Sequence, residues 1–170
     1  MKHLSATLTL AALLAFSGVA YGQAFPDLSA AMTGAQEVSP PAPVGGVVTV
    51  TVGNVELSFD AGLTKVDFRL DVFRGTKVTQ AHLHCAPAGV NGPIVVFLFP
   101  FNASGVNVNG TLSRGTFTNA NIIPTSGSPC GQDLNNIASL LDAIQRGRVY
   151  ANVHTVANPP GEVRGQVFAD

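Results

Sequence analysis

The chain has 170 residues, of which 46% are hydrophobic and only 11% charged, with a formal net charge of −1 at pH 7. That length suits one domain with a real hydrophobic core. The nine basic residues are scattered and form no stripe that could neutralise a row of phosphates, which excludes a nucleic-acid binder.

The N-terminus has the layout of an export signal. Lys2 supplies a positive charge, Leu8 to Phe16 is an apolar run of signal length, and Ala20-Tyr21-Gly22 offers small residues at the −3 and −1 positions of a cleavage site. The apolar run is shorter than the ~20 residues needed to cross a bilayer. The expectation is a signal peptide over 1–22 and a single domain over 23–170. After signal removal no membrane span is left, and the protein is secreted or periplasmic.

Short apolar-polar alternations recur between turn signals, the pattern of an all-β, Greek-key sandwich or barrel. Leu28 to Val38 reads as a strand, broken by the Pro-rich connector Ser39 to Pro43. Gly46 to Val52 would place Val48, Val50 and Val52 on one face and turn at Gly53-Asn54 into Val55 to Phe59. In Leu63 to Phe73, Val66, Phe68, Leu70 and Val72 alternate with Lys65, Asp67, Arg69 and Asp71, so one face is buried and the other wet. Gly75-Thr76 then reads as a turn before Val78 to Cys85. Ile94 to Phe99 is apolar on both faces, as in a central strand. Val106 to Asn109 and Thr111 to Thr118 flank Asn109-Gly110. One short helix is expected near 133–146, with Asp133 as N-cap, a stripe of Leu134, Ile137, Leu141 and Ile144, and Gly147 as its stop. Arg148 to Thr155 and Glu162 to Phe168 form a last hairpin.

Three histidines lie beyond the signal: His82, His84 and His154. His82 and His84 share a strand face ~6.6 Å apart, and two imidazoles so placed can bind one ion at ~2.0 Å each. Leu83 and Val153 belong in the core, so the histidines face outward beneath whatever loops cover the sheet, with His154 converging from a neighbouring strand. Either they hold copper or zinc, with redox activity in the copper case, or they hydrogen-bond loop groups and fix the loops. Glu162 and Arg164 share a face of the last strand. They either orient a ligating imidazole from behind or form a cross-strand ion pair. Cys85 and Cys130 are an even pair in an oxidising compartment, which points to one disulfide. The alternative, Cys85 as a thiolate ligand, is opposed by its phase, since it points away from His84. No phosphate loop, Gly-x-Ser-x-Gly or Cys-x-x-Cys is present, so no catalytic set is complete.

Three segments in order resemble the CHRD (chordin) domain family: Thr33-Gly34-Ala35-Gln36-Glu37-Val38, then Ala81-His82-Leu83-His84 with Gly92-Pro93-Ile94-Val95, then Tyr150-Ala151-Asn152-Val153-His154-Thr155 with Gly161-Glu162-Val163-Arg164-Gly165-Gln166. The resemblance implies an extracytoplasmic β-sandwich, found alone in bacteria and repeated in animal chordins, which bind growth factors. It implies no enzymatic activity. It points to a non-catalytic binding or structural module whose partner is an extracellular protein or a small ligand. A weaker similarity links His82, His84, His154 and Arg164 to the copper/zinc superoxide dismutase fold. With only three histidines it implies a three-histidine copper or zinc site rather than dismutase chemistry.

Overall fold

The structure is a computed structural model that describes residues 27–38 and 45–169. The expected signal peptide and the Pro-rich connector lie outside the described residues. The elements are β1 (Leu28–Thr33), β2 (Val52–Phe59), β3 (Lys65–Cys85), β4 (Ile94–Phe99), β5 (Val106–Thr118), α1 (Ile137–Gln145), β6 (Val149–Thr155), β7 (Val163–Gln166) and β8 (Phe168–Ala169). The strand order β2-β1-β7-β6-β3 closes on itself because β2 also pairs with β3. The fold is therefore an all-β closed barrel with one short helix, and β4, β5 and β8 attach outside the ring.

One strand organises the barrel. In β3, Val66 to Phe73 pairs with β2 on one edge and β5 on the other. Val78 to Cys85 pairs with β6 and Ala81 to His84 with β4. The expected turn at Gly75-Thr76 is instead an irregularity within this single strand. Arg74 and Lys77 flank it with φ of 56° and 54°. Their backbone N–H groups donate to Asn109 Oδ1 and Asn107 Oδ1 of β5, so the chain bends without leaving the sheet. Asn109-Gly110 likewise stays inside β5 rather than reversing it.

Other expectations are corrected. Gly53-Asn54 is not a hairpin turn. It lies within β2, where Gly53 faces Met32 on β1 and Val72 on β3. Two registered neighbours outweigh the local turn preference, and Val48 and Val50 are left exposed. β4 is an edge strand paired to β3, with Phe97 49% exposed. The helix starts at Ile137 with Asn136 as its N-cap in a capping box with Ser139, because Leu134 is drawn into a bridge with Thr125.

The barrel interior holds Val66, Leu70, Val72, Leu83, Ala151 and Val153, all fully buried. Cys85 and Cys130 are disulfide-bonded, with Cα atoms 4.9 Å apart. The bond ties the end of β3 to the segment leading into α1. Truncating Leu83 to Ala should lower the unfolding free energy by about 2–5 kcal/mol in denaturant titrations. Removing the disulfide, which spans 45 residues, should cost about 4 kcal/mol on the loop-entropy model. Thiol titration of the unfolded, unreduced protein should find no free thiol.

Candidate metal centre

The register of three strands builds the centre. His82 lies opposite Asn152 on β6, which lies opposite Arg164 on β7. His84 lies opposite Tyr150, and His154 opposite Gln80. Leu83, Ala151 and Val153 fill the barrel, so their neighbours project from its outer surface, as side-chain alternation requires. That outer surface is not wet, however. His82, His84 and His154 are 1%, 8% and 7% exposed, so these outward side chains lie beneath covering segments. Three chain segments cover them and form a second, polar core.

Each cover is fastened by a named group. Gly92 O accepts from His84 Nδ1 at 2.9 Å, and Gly92 N–H donates to the Tyr150 hydroxyl at 3.1 Å. Pro159 O accepts from His154 Nδ1 at 2.9 Å. Asn152 Nδ2 donates to Glu37, which follows β1, and to Val163 O. Two of these approaches require glycine. A Cβ on Gly92 would sit 2.1 Å from Cys85 O, and one on Gly161 would sit 2.7 Å from both Asn152 Nδ2 and Glu37 Oε2.

The carbonyls fix the imidazole tautomers. A carbonyl oxygen only accepts, so Nδ1 of His84 and of His154 carries the proton and each Nε2 is a lone pair. His154 Nε2 lies 3.1 Å from His82 Nδ1. Nε2 of His82 and of His84 is buried with no hydrogen-bond partner. One ligand nitrogen from each ring can be chosen so that all three lie within 4.8 Å of one another. Two nitrogens on one ion at ~2.1 Å stand ~3.4 Å apart, so pairs at the outer end of that range must close in to share one. Burial, and then the neighbouring His154 and His84, hold His82 down at about 3. Burial chiefly holds His84 at about 4, against the Gly92 bond, and also depresses His154. All three imidazoles are therefore neutral at pH 7, the form that binds metal.

Arg164 and Glu162 do not act as a pair. Arg164 lies 3.4 Å over the Tyr150 ring, which stacks on His84 at 4.8 Å and 4°. It thus stands behind a histidine, but through Tyr150. Its N–H groups donate to Asn91 Oδ1, Pro87 O and Val90 O. Glu162 does not orient His154, whose Nδ1 is taken by Pro159. Its carboxylate accepts from Thr49, Thr51, Thr155 and Asn158 at 2.5–3.2 Å. Burial pushes Glu162 up, and these donors outweigh it and leave the group below its ordinary value. The residues missed by sequence reasoning are Tyr150, Asn152 and Glu37. Tyr150 and Asn152 were legible as sharing the face of His154. Glu37 sat in a motif whose burial no local pattern signals.

The CHRD domain family model matches residues 28–167. The chain belongs to the CHRD domain family. The match spans β1 to the end of β7 and includes every residue of the centre. With the disulfide, it marks a small domain of the extracellular type. No curated protein and no solved structure matched the chain. Among the described residues no helix is long and apolar enough to cross a membrane.

The buried imidazoles set a pH dependence. Unfolded imidazoles titrate near 6.5, so below that pH the unfolded chain binds protons that the folded chain refuses. Stability from the three neutral rings is present above about 6.5 and falls toward pH 4. Glu37 acts oppositely. Burial raises it to about 7, so between about 7 and 4.5 the folded state holds a proton the unfolded state has lost. His82 and His84 set two protons against the one on Glu37, at ~1.4 kcal/mol per pH unit each, and His154 adds in the same direction as the other histidines. Denaturant titrations with chelator present should therefore show stability falling by at least about 1 kcal/mol per unit between pH 6 and 5. His82→Gln should flatten that slope by about one proton.

Proposed function

We propose that this CHRD domain is an exported module of the periplasm or cell exterior that holds one copper or zinc ion on His82, His84 and His154. The observation that carries the reading is the gathering of three buried, neutral imidazoles on one spot, with the tautomers of His84 and His154 fixed by Gly92 O and Pro159 O. An imidazole whose other nitrogen donates to a carbonyl is the usual state of a metal-bound histidine, because that bond orients the ring and raises its basicity. The weaker similarity to the copper/zinc superoxide dismutase fold points the same way. Copper at the site would supply one-electron chemistry, and zinc would not.

A second reading is a non-catalytic binding module in which the histidines only clamp loops. It is favoured by a cavity of about 340 Å³ beside Glu37, Gly89, Arg164 and Gln166, which none of the three histidines lines. In that case the cavity takes a small ligand or a partner's side chain.

Metal analysis of protein purified without an affinity tag separates the two. The metal reading expects about one copper or zinc per chain, lost on His82→Ala, with the apo protein raised in Tm by adding the ion back. A chain that stays metal-free after exposure to either ion leaves the binding module.

A further inference from the structure

We propose that the three-histidine site is selective for monovalent copper over divalent ions, and that Arg164 is the residue that sets this preference. The inference rests on the metal reading above and adds which ion the site takes.

The donor set carries no charge. Among the described residues, the group able to hold an ion is His82, His84 and His154 alone, with no carboxylate or thiolate in it. Cys85 adjoins His84 but is committed to Cys130. Three neutral ligands leave a bound ion its whole charge in a buried place, and that cost rises steeply with charge.

The nearest fixed charge behind the ligands is also positive. The Arg164 guanidinium, the Tyr150 ring and the His84 ring form one continuous stack. Arg164 is 2% exposed, so water screens it poorly. Its field reaches the His84 ring across that stack. The same field opposes any cation there, twice as strongly for a divalent ion. A unit charge roughly 10 Å away, at an effective dielectric near 20, changes the relative affinity of ions differing by one charge by roughly tenfold. Glu37 is the counter-charge on Arg164, but burial raises it to about 7, so at and below neutral pH it cancels the guanidinium only in part.

Coordination number points the same way. Zinc in proteins takes four ligands, and three histidines suffice where water can enter as the fourth. The described chain offers three, each under 10% exposed. Monovalent copper is satisfied by three nitrogen donors and needs no fourth.

The test is competitive metal binding under anaerobic conditions, with ascorbate as reductant so that the disulfide is kept. Cu(I) is measured against a chromophoric Cu(I) chelator, Zn(II) by competition under the same conditions, and Cu(II) in separate titrations without ascorbate, which would reduce it. The wild-type protein should retain one Cu(I) against a hundredfold excess of Zn(II). Arg164→Met should lower the Cu(I)-to-Cu(II) affinity ratio roughly tenfold, while Arg164→Lys, which keeps the charge, should hold it within a few-fold. Arg164 also fastens the 87–91 loop, so Glu37→Gln at pH 8 provides a variant of opposite sign. It removes a negative charge and should raise the ratio several-fold. Displacement of Cu(I) by Zn(II), or a ratio that neither variant moves, would overturn the selectivity while leaving a metal site. Failure to bind any of the three ions would overturn the metal reading, and the selectivity with it.

Discussion

Burying a guanidinium without stranding it is the constraint on which the rest of this molecule depends. Arg164 is almost wholly inaccessible, and a buried charge is tolerated only when its donors are met. Its donors are met by Pro87, Val90 and Asn91, all in the loop between β3 and β4. That loop carries Gly92, whose carbonyl selects the His84 tautomer and whose N–H holds the Tyr150 hydroxyl. The Arg164 face rests on Tyr150, and Tyr150 rests on His84. One cation on β7 thus fixes a loop, an aromatic ring and a histidine on two other strands. The coupling is local because these residues are cross-strand neighbours in register, where side chains on one face must meet.

The same strands serve two cores. Inward residues of β3 and β6 fill the barrel with aliphatic groups, and outward ones form the polar cluster. β6 is buried along its whole length for this reason. The disulfide adjoins both cores. Cys85 follows His84 directly and anchors the segment that precedes α1 on the barrel. A small domain of the extracellular type gains rigidity at the end of β3, where the histidine pair stands, without placing a sulfur in the histidine cluster.

Much of this was legible in the sequence. Alternation in Lys65 to Val72 assigned the buried face of β3, and phase alone put Leu83 and Val153 inside and the histidines on the opposite face. The helix was read within a few residues. The errors share a cause. Gly53-Asn54, Gly75-Thr76 and Asn109-Gly110 all look like hairpin turns locally, yet each lies in a strand flanked by registered partners. Long-range pairing, on both edges for Gly53-Asn54 and with one neighbour for the other two, outweighs a dipeptide preference, and no local window contains that information. That loops would cover the histidine face was legible, but which loops do so was not, because that depends on where 86–93 and 156–161 fold back. Neither role weighed for Glu162, orienting a histidine or forming an ion pair, anticipates its four partners, which come from positions as distant as Thr49 and Asn158.

The energetics of the cluster bear on why three histidines are gathered there at all. A loop clamp needs one nitrogen per ring, and Gly92 and Pro159 satisfy one each on His84 and His154. His82 adds a bond from Nδ1 to His154 Nε2 at 3.1 Å, yet its own Nε2 lies buried and unpartnered beside a likewise unpartnered His84 Nε2. Each orphaned group costs about 1–3 kcal/mol, and an apolar side chain of similar volume would remove the penalty. Edge-on contact with Phe97 at 4.7 Å recovers some packing for His82 but no hydrogen bond. An arrangement that leaves two buried lone pairs unmet, beside a third that meets only His82 Nδ1, is unfavourable as pure structure. It becomes favourable when a cation accepts all three. The strain is therefore located where a ligand would relieve it, and the remainder of the barrel, with its closed sheet and disulfide, is stable enough to hold it in place.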